Sequence, residues 1–90
     1  MITIKFDQSS PAWYKYEGMN QMFLTQEVEY LRTRFVTRGY IYLNTIYEAL
    51  GVQWNPEWEN RCWVKGRDNF VIIFEESETE GEFIVAIGTD

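Results

Sequence analysis

Residues 70–87 read FVIIFEESETEGEFIVAI. Two apolar runs, rich in β-branched and aromatic residues, flank an acidic middle. Runs of that composition bounded by turn residues predict strands, and a short polar link between them predicts an antiparallel hairpin. The first run, FVIIFE, is apolar without alternation, which is the pattern of a central strand covered on both faces. The link concentrates charge: Glu75, Glu76, Glu78, Glu80 and Glu82 fall within eight positions.

Working upstream, CWVK (62–65) reads as a strand and GRDN (66–69) as a turn, so 62–88 is expected to form a three-stranded meander. At the other end of the chain, ITIKF (2–6) alternates apolar and polar residues, as a short edge strand does. Between them the period becomes helical. Val28, Leu31 and Phe35 recur at i, i+3 and i+7, Thr25 serves as an N-cap, Glu27 and Glu29 suit the N-terminal end, and Gly39 follows as a stop. The pattern predicts a helix over 26–38. YIYL (40–43) is briefly extended, after which Asn44 caps a short helix, TIYEAL, ended by Gly51. VQWNPEWEN (52–60) is a turn-rich connection. These elements predict one α+β domain, with two helices packed on an antiparallel sheet of three to four strands. Its parts are an N-terminal strand and aromatic arm (1–24), a helical part (25–51) and the β-meander (62–88).

The totals fit a single domain of 90 residues, 46% hydrophobic and 18% aromatic, which supplies the dense core so short a chain needs. The net charge of −6 argues against direct binding to nucleic acid or an anionic membrane, where phosphate contacts need Lys and Arg. With no histidine and one cysteine, the chain lacks a His base, a Ser-His or Cys-His pair and a zinc ligand set. Cys62, beside Trp63 in a strand pattern, is expected to be a buried core thiol. The expectation is a protein without catalytic residues, cofactor or metal. No apolar stretch approaches a membrane span and the N-terminus shows no signal-peptide pattern, which points to the cytoplasm.

The acidic link tests one metal pattern. Counted from Glu76, carboxylates stand at positions 1, 3 and 5 with Gly81 at 6, the phase of a calcium loop. Position 12 is Ile87, where a bidentate Glu is required, and a strand rather than a helix follows. Two readings remain: a solvated turn, or an acidic finger that docks on a basic surface. The solvated turn is the leading local reading, and the mutual repulsion of carboxylates this close is what motivates the second.

The arm, DQSSPAWYKYEGMNQ (7–21), is a loop with unusual aromatic content. Trp13, Tyr14 and Tyr16 either wrap over the core or form an exposed patch of the kind that dominates binding hot spots. Trp54 and Trp58, either side of Pro56, pose the same choice. Candidate partner-binding residues are therefore Glu75, Glu76, Glu78, Glu80, Glu82, Trp13, Tyr14, Tyr16, Trp54 and Trp58.

RGYIYLNTIYEALG (38–51) resembles the central motif of a family of short, uncharacterised phage and prophage proteins. The residues concerned are Gly39, Tyr40, Ile41, Tyr42, Leu43, Asn44, Tyr47, Leu50 and Gly51, and CWVKGRDNFVIIF resembles the family's Trp-hydrophobic element and following strand. The likeness covers 35–74; VQWNPEWENR and Cys62 depart from it, and the arm and acidic link fall outside it. It implies a mobile-element protein without enzymatic activity. The expected function is an acidic phage interaction protein that binds a basic host protein, as an anti-defence inhibitor such as an anti-CRISPR that blocks a nucleic-acid groove. The alternative is a virion or tail assembly component.

Overall fold

The computed structural model describes residues 1–16, 18–52, 56, 61–79 and 81–89. Its organising element is the helix α1, Met19–Arg38, whose residues Leu24, Val28, Leu31 and Phe35 are all buried. That spacing keeps one stripe against the sheet over three turns. The helix begins seven residues, about two turns, before the expected start. Thr25 is not an N-cap; its hydroxyl donates to the Gln21 carbonyl at 2.8 Å from within the helix. Gly18, at φ +85°, is the N-cap and offers no side-chain cap. Met19 and Met22 therefore belong to the helix, not to the arm. Gly39, at φ +84°, ends it as expected, its N–H bonding the Phe35 carbonyl.

Three strands form the main sheet: β1 (Ile2–Phe6), β4 (Phe70–Glu76) and β5 (Phe83–Thr89), in the order β1-β5-β4 with both pairings antiparallel. β1 is an edge strand, as its alternation predicts. The acidic hairpin also forms, with the Ser77 N–H donating to the Glu82 carbonyl and the Glu82 N–H to the Thr79 carbonyl, and Gly81 at φ +83° in the turn. The central strand, however, is β5. Its Phe83, Val85 and Ile87 all point into the core. The unbroken apolar run belongs instead to the edge strand β4, whose Ile73 is 48% exposed. Continuous apolarity is consistent with burial on two faces but does not say which strand receives it.

The strand β3, Cys62–Val64, does not join this sheet, so the expected meander is not formed. It pairs with β2, Tyr40–Tyr42, in a two-stranded ribbon that aligns Ile41 with Trp63. Both of those are buried, while Tyr40 and Tyr42 face outward in an edge-to-face pair at 5.7 Å. Trp63 and Phe35 both close on Phe70, at 5.4 and 5.1 Å, and so join the ribbon to the main core. Cys62 is half-buried rather than a core residue. The turn at 66–69 is pinned by the Asp68 carboxylate, which accepts from the Val64 N–H at 2.9 Å; that bond and the Arg67 guanidinium hold Asp68 below the usual carboxylate range.

The short helix α2, Leu43–Leu50, starts at Leu43 with Tyr42 as its N-cap, so Asn44 is a helical residue and not the cap. Leu43, Ile46, Tyr47 and Leu50 face the core. Two helices on antiparallel sheets of three and two strands make the α+β domain. No helix among the described residues is long and apolar enough to cross a membrane.

Candidate binding cleft

The arm is held in place by two polar side chains. Ser10 is buried at the end of α2, where its hydroxyl hydrogen is shared between the carbonyls of Leu50 (3.0 Å) and Gly51 (3.1 Å). Its oxygen accepts from the Ala12 N–H. Gly51 must be glycine here: it sits at φ +66°, and a Cβ would lie 3.0 Å from both Ala12 Cβ and Ser10 Oγ. Further along, Asn20 clasps Tyr14 twice, accepting from its N–H at 2.7 Å and donating to its carbonyl at 2.9 Å. Asn20 is buried, so both ends of its amide are satisfied in a place where leaving them unpaired is costly.

Between these anchors the aromatic rings stack against the core's edge. Trp13 lies 5.6 Å from Phe6, Phe6 stacks on Phe23 at 5.5 Å, and Tyr14 tilts against Phe23 at 6.2 Å. Trp13 is half-buried and works as an anchor for the arm. Tyr14 and Tyr16 are 43% and 74% exposed. The two expected roles of the arm are thus divided among its residues: Trp13 packs, and Tyr14 and Tyr16 face outward.

The sheet sets the opposite wall. β1 carries the chain into the arm, and its pairing with β5 aligns Phe6 with Phe83 beside the acidic turn. Residues 14–16 thereby face Glu76 and Gly81 across a cleft of about 460 Å³. Tyr14, Lys15, Tyr16, Gly18 and Gln21 form one side, and Glu76, Gly81 and Phe83 the other. Glu76 Oε1 accepts from the Gly81 N–H at 3.2 Å, which fixes the carboxylate against the turn.

The other carboxylates do not gather there. Alternation along β4 sends Glu76 to the face shared by Ile72 and Phe74, and Glu75 to the face of Ile73. Glu78 is exposed at the turn. Glu82 is half-buried, with Lys5 Nζ at 3.3 Å from it and also 3.8 Å from Asp7. Lys5 thus neutralises part of the cluster within the chain. Glu80, Trp54 and Trp58 lie outside the described residues. The residues missed by sequence reasoning are Asn20, Ser10 and Lys15. A buried Asn near a helix start is the one readable signal among them, and it was obscured by Thr25, the more usual capping type.

Comparison with protein-family models, with curated proteins and with solved structures finds no match to this chain.

Proposed function

We propose that the chain is a non-catalytic interaction domain that docks a basic partner protein through the cleft between its aromatic arm and its acidic hairpin. One observation carries the reading: exposed Tyr14 and Tyr16 face Glu76 and Gly81 across a single cleft. Tyrosine faces and a carboxylate together accept a lysine or arginine side chain, through cation–π contact and a charge-assisted hydrogen bond. The net charge of −6 steers a basic surface toward this end of the molecule. In the form drawn from the phage resemblance, the protein acts in the host cytoplasm, and the partner is a nucleic-acid-handling defence enzyme whose phosphate groove the hairpin occupies.

The test is binding to an array of Arg- and Lys-containing peptides, read for the wild type and for three variants. Y14A/Y16A and E75Q/E76Q/E78Q should each lose binding, and added salt should weaken it. Lys15 is the one cation lining the described cleft, so K15E should tighten binding. No binding to basic peptides, or binding indifferent to all three variants, sinks the proposal.

A second reading, an assembly component of a virion, is favoured by a different observation: Ile73, in the middle of β4, is an apolar side chain left 48% exposed.

A further inference from the structure

β4 lies at the edge of its sheet, and one side of its backbone is left without a neighbouring strand. The Ser77 N–H donates to the Glu82 carbonyl across the hairpin, so Ser77 faces β5. Alternation then puts Glu75, Ile73 and Val71 on the same side of the ladder. It turns the N–H and C=O of Phe70, Ile72 and Phe74 outward. The Ile72 carbonyl agrees with this phase, since Arg32 reaches it from α1 at 2.8 Å. That is the one bond to these outward groups among the described residues. A row of unpaired donors and acceptors is a template for another chain, and edges are usually blunted by short length, Lys, Pro or a bulge. β1, the opposite edge, has five residues and carries Lys5. β4 has seven, FVIIFEE, without Lys, Pro or Gly, in unbroken register with β5.

The helix α1 runs alongside this edge in the opposite direction. Val36 shares a cavity of about 490 Å³ with Phe35, Phe70 and Val71, Arg32 reaches Ile72, and Gln21 shares the arm–hairpin cleft with Glu76. The edge therefore has a cavity at each end, with Arg32 between them. Phe70 and Glu76 are six steps of strand apart, about 20 Å.

We infer that β4 binds an extended segment of the basic partner as an added antiparallel strand. One basic side chain of that segment enters the arm–hairpin cleft, and an apolar one, six residues later, enters the cavity beside Phe70. The inference rests on the docking site proposed above and adds the mode of binding: main-chain bonds along the edge give affinity, and alternate side chains give specificity. The only charges on β4 are Glu75 and Glu76, which favour a basic strand over an acidic one. Both existing pairings in the sheet are antiparallel, the more stable ladder per residue. Residues opposite Phe70 and Glu76 point to the inner face of the sheet, where the two cavities lie. The Ile72 carbonyl has two lone pairs, so it keeps Arg32 and still accepts from the added strand.

The probe is an end-capped peptide, Thr-Arg-Thr-Val-Thr-Ser-Thr-Leu-Thr, titrated into the full chain by calorimetry. Its Arg suits the cleft and its Leu the far cavity, so the Val N–H faces β4 and the N–H of the Thr after it faces away. N-methylation at the Val should weaken binding at least about tenfold, and at that Thr less than about twofold. Hydrogen exchange at the Phe70 and Phe74 amides should slow at saturating peptide, while the Ile73 amide, already on the β5 side, should change little. Equal effects of the two N-methyl groups, or unslowed Phe70 and Phe74 amides, overturn strand addition; the cleft reading survives that result if Y14A/Y16A still abolishes binding. A probe that fails while other Arg peptides bind also overturns strand addition alone. Failure of every basic peptide overturns both.

Discussion

Replacing Asn20 by Ala removes both hydrogen bonds that hold Tyr14 to the start of α1, at 2.7 and 2.9 Å. Each such bond contributes about 1 kcal/mol net, and a partner left unpaired away from water costs about 1–3 kcal/mol. The Tyr14 backbone lies only part-buried, so the arm can lift and reach solvent, which puts the loss near the lower bound of about 2 kcal/mol. For a domain of this length that corresponds to a fall in Tm of roughly 10 °C. Thermal unfolding followed by circular dichroism measures it, and hydrogen exchange at the Tyr14 amide shows whether the loss is local to the arm. N20D should fall between the two: its carboxylate still accepts from the Tyr14 N–H but repels the Tyr14 carbonyl. An N20A protein with an unchanged Tm and a still-protected Tyr14 amide would refute the claim that Asn20 fixes the arm.

Three further substitutions probe the frame around the site. G51A forces a Cβ into a left-handed conformation and against Ser10 and Ala12 at 3.0 Å, and should cost about 2 kcal/mol in chemical denaturation. R32M removes the guanidinium that donates to the Ile72 carbonyl at 2.8 Å on the open edge of β4; it should cost about 1 kcal/mol and raise light scattering on storage, because the strand edge is uncapped. Asp68 is held below its ordinary value by the Val64 N–H first and by Arg67 second. A lowered folded-state value means that its contribution is present above the unfolded pKa of about 3.9 and is lost as pH falls through the folded value. D68N should therefore lower Tm at pH 7, with the deficit shrinking below about pH 4 in a pH series of melts.

Much of the fold can be read in the chain because local rules agree there. The hairpin, the edge strand at 2–6, the stripe of Val28, Leu31 and Phe35, and the stops at Gly39 and Gly51 each follow from periodicity or turn chemistry. The misplacements have physical causes. Thr25 is a good capping type, but Leu24 extends the buried stripe toward the N-terminus, and burial outweighs a single cap. FVIIF is apolar on both faces, yet whether a strand is central depends on which partners flank it. The pairing of β3 with β2 instead of β4 rests on contacts of Trp63 with Ile41 and Phe70 that no short window contains. The same reason hides the cleft: residues 14–16 meet Glu76 and Gly81 only because β1 pairs with β5 from the far end of the sequence. Alternation along β4, once the register is known, divides an acidic run that looks like one patch into two faces.

The central claim is that the arm and the hairpin form one binding surface for basic side chains. It is tested most directly by titrating the isotopically labelled protein with an Arg-rich peptide and following backbone amide shifts by NMR. The account predicts salt-sensitive shifts that cluster at Tyr14, Lys15, Tyr16, Glu76 and Gly81, and that disappear in Y14A/Y16A. Shifts confined to other surfaces, or none at saturating peptide, would contradict it.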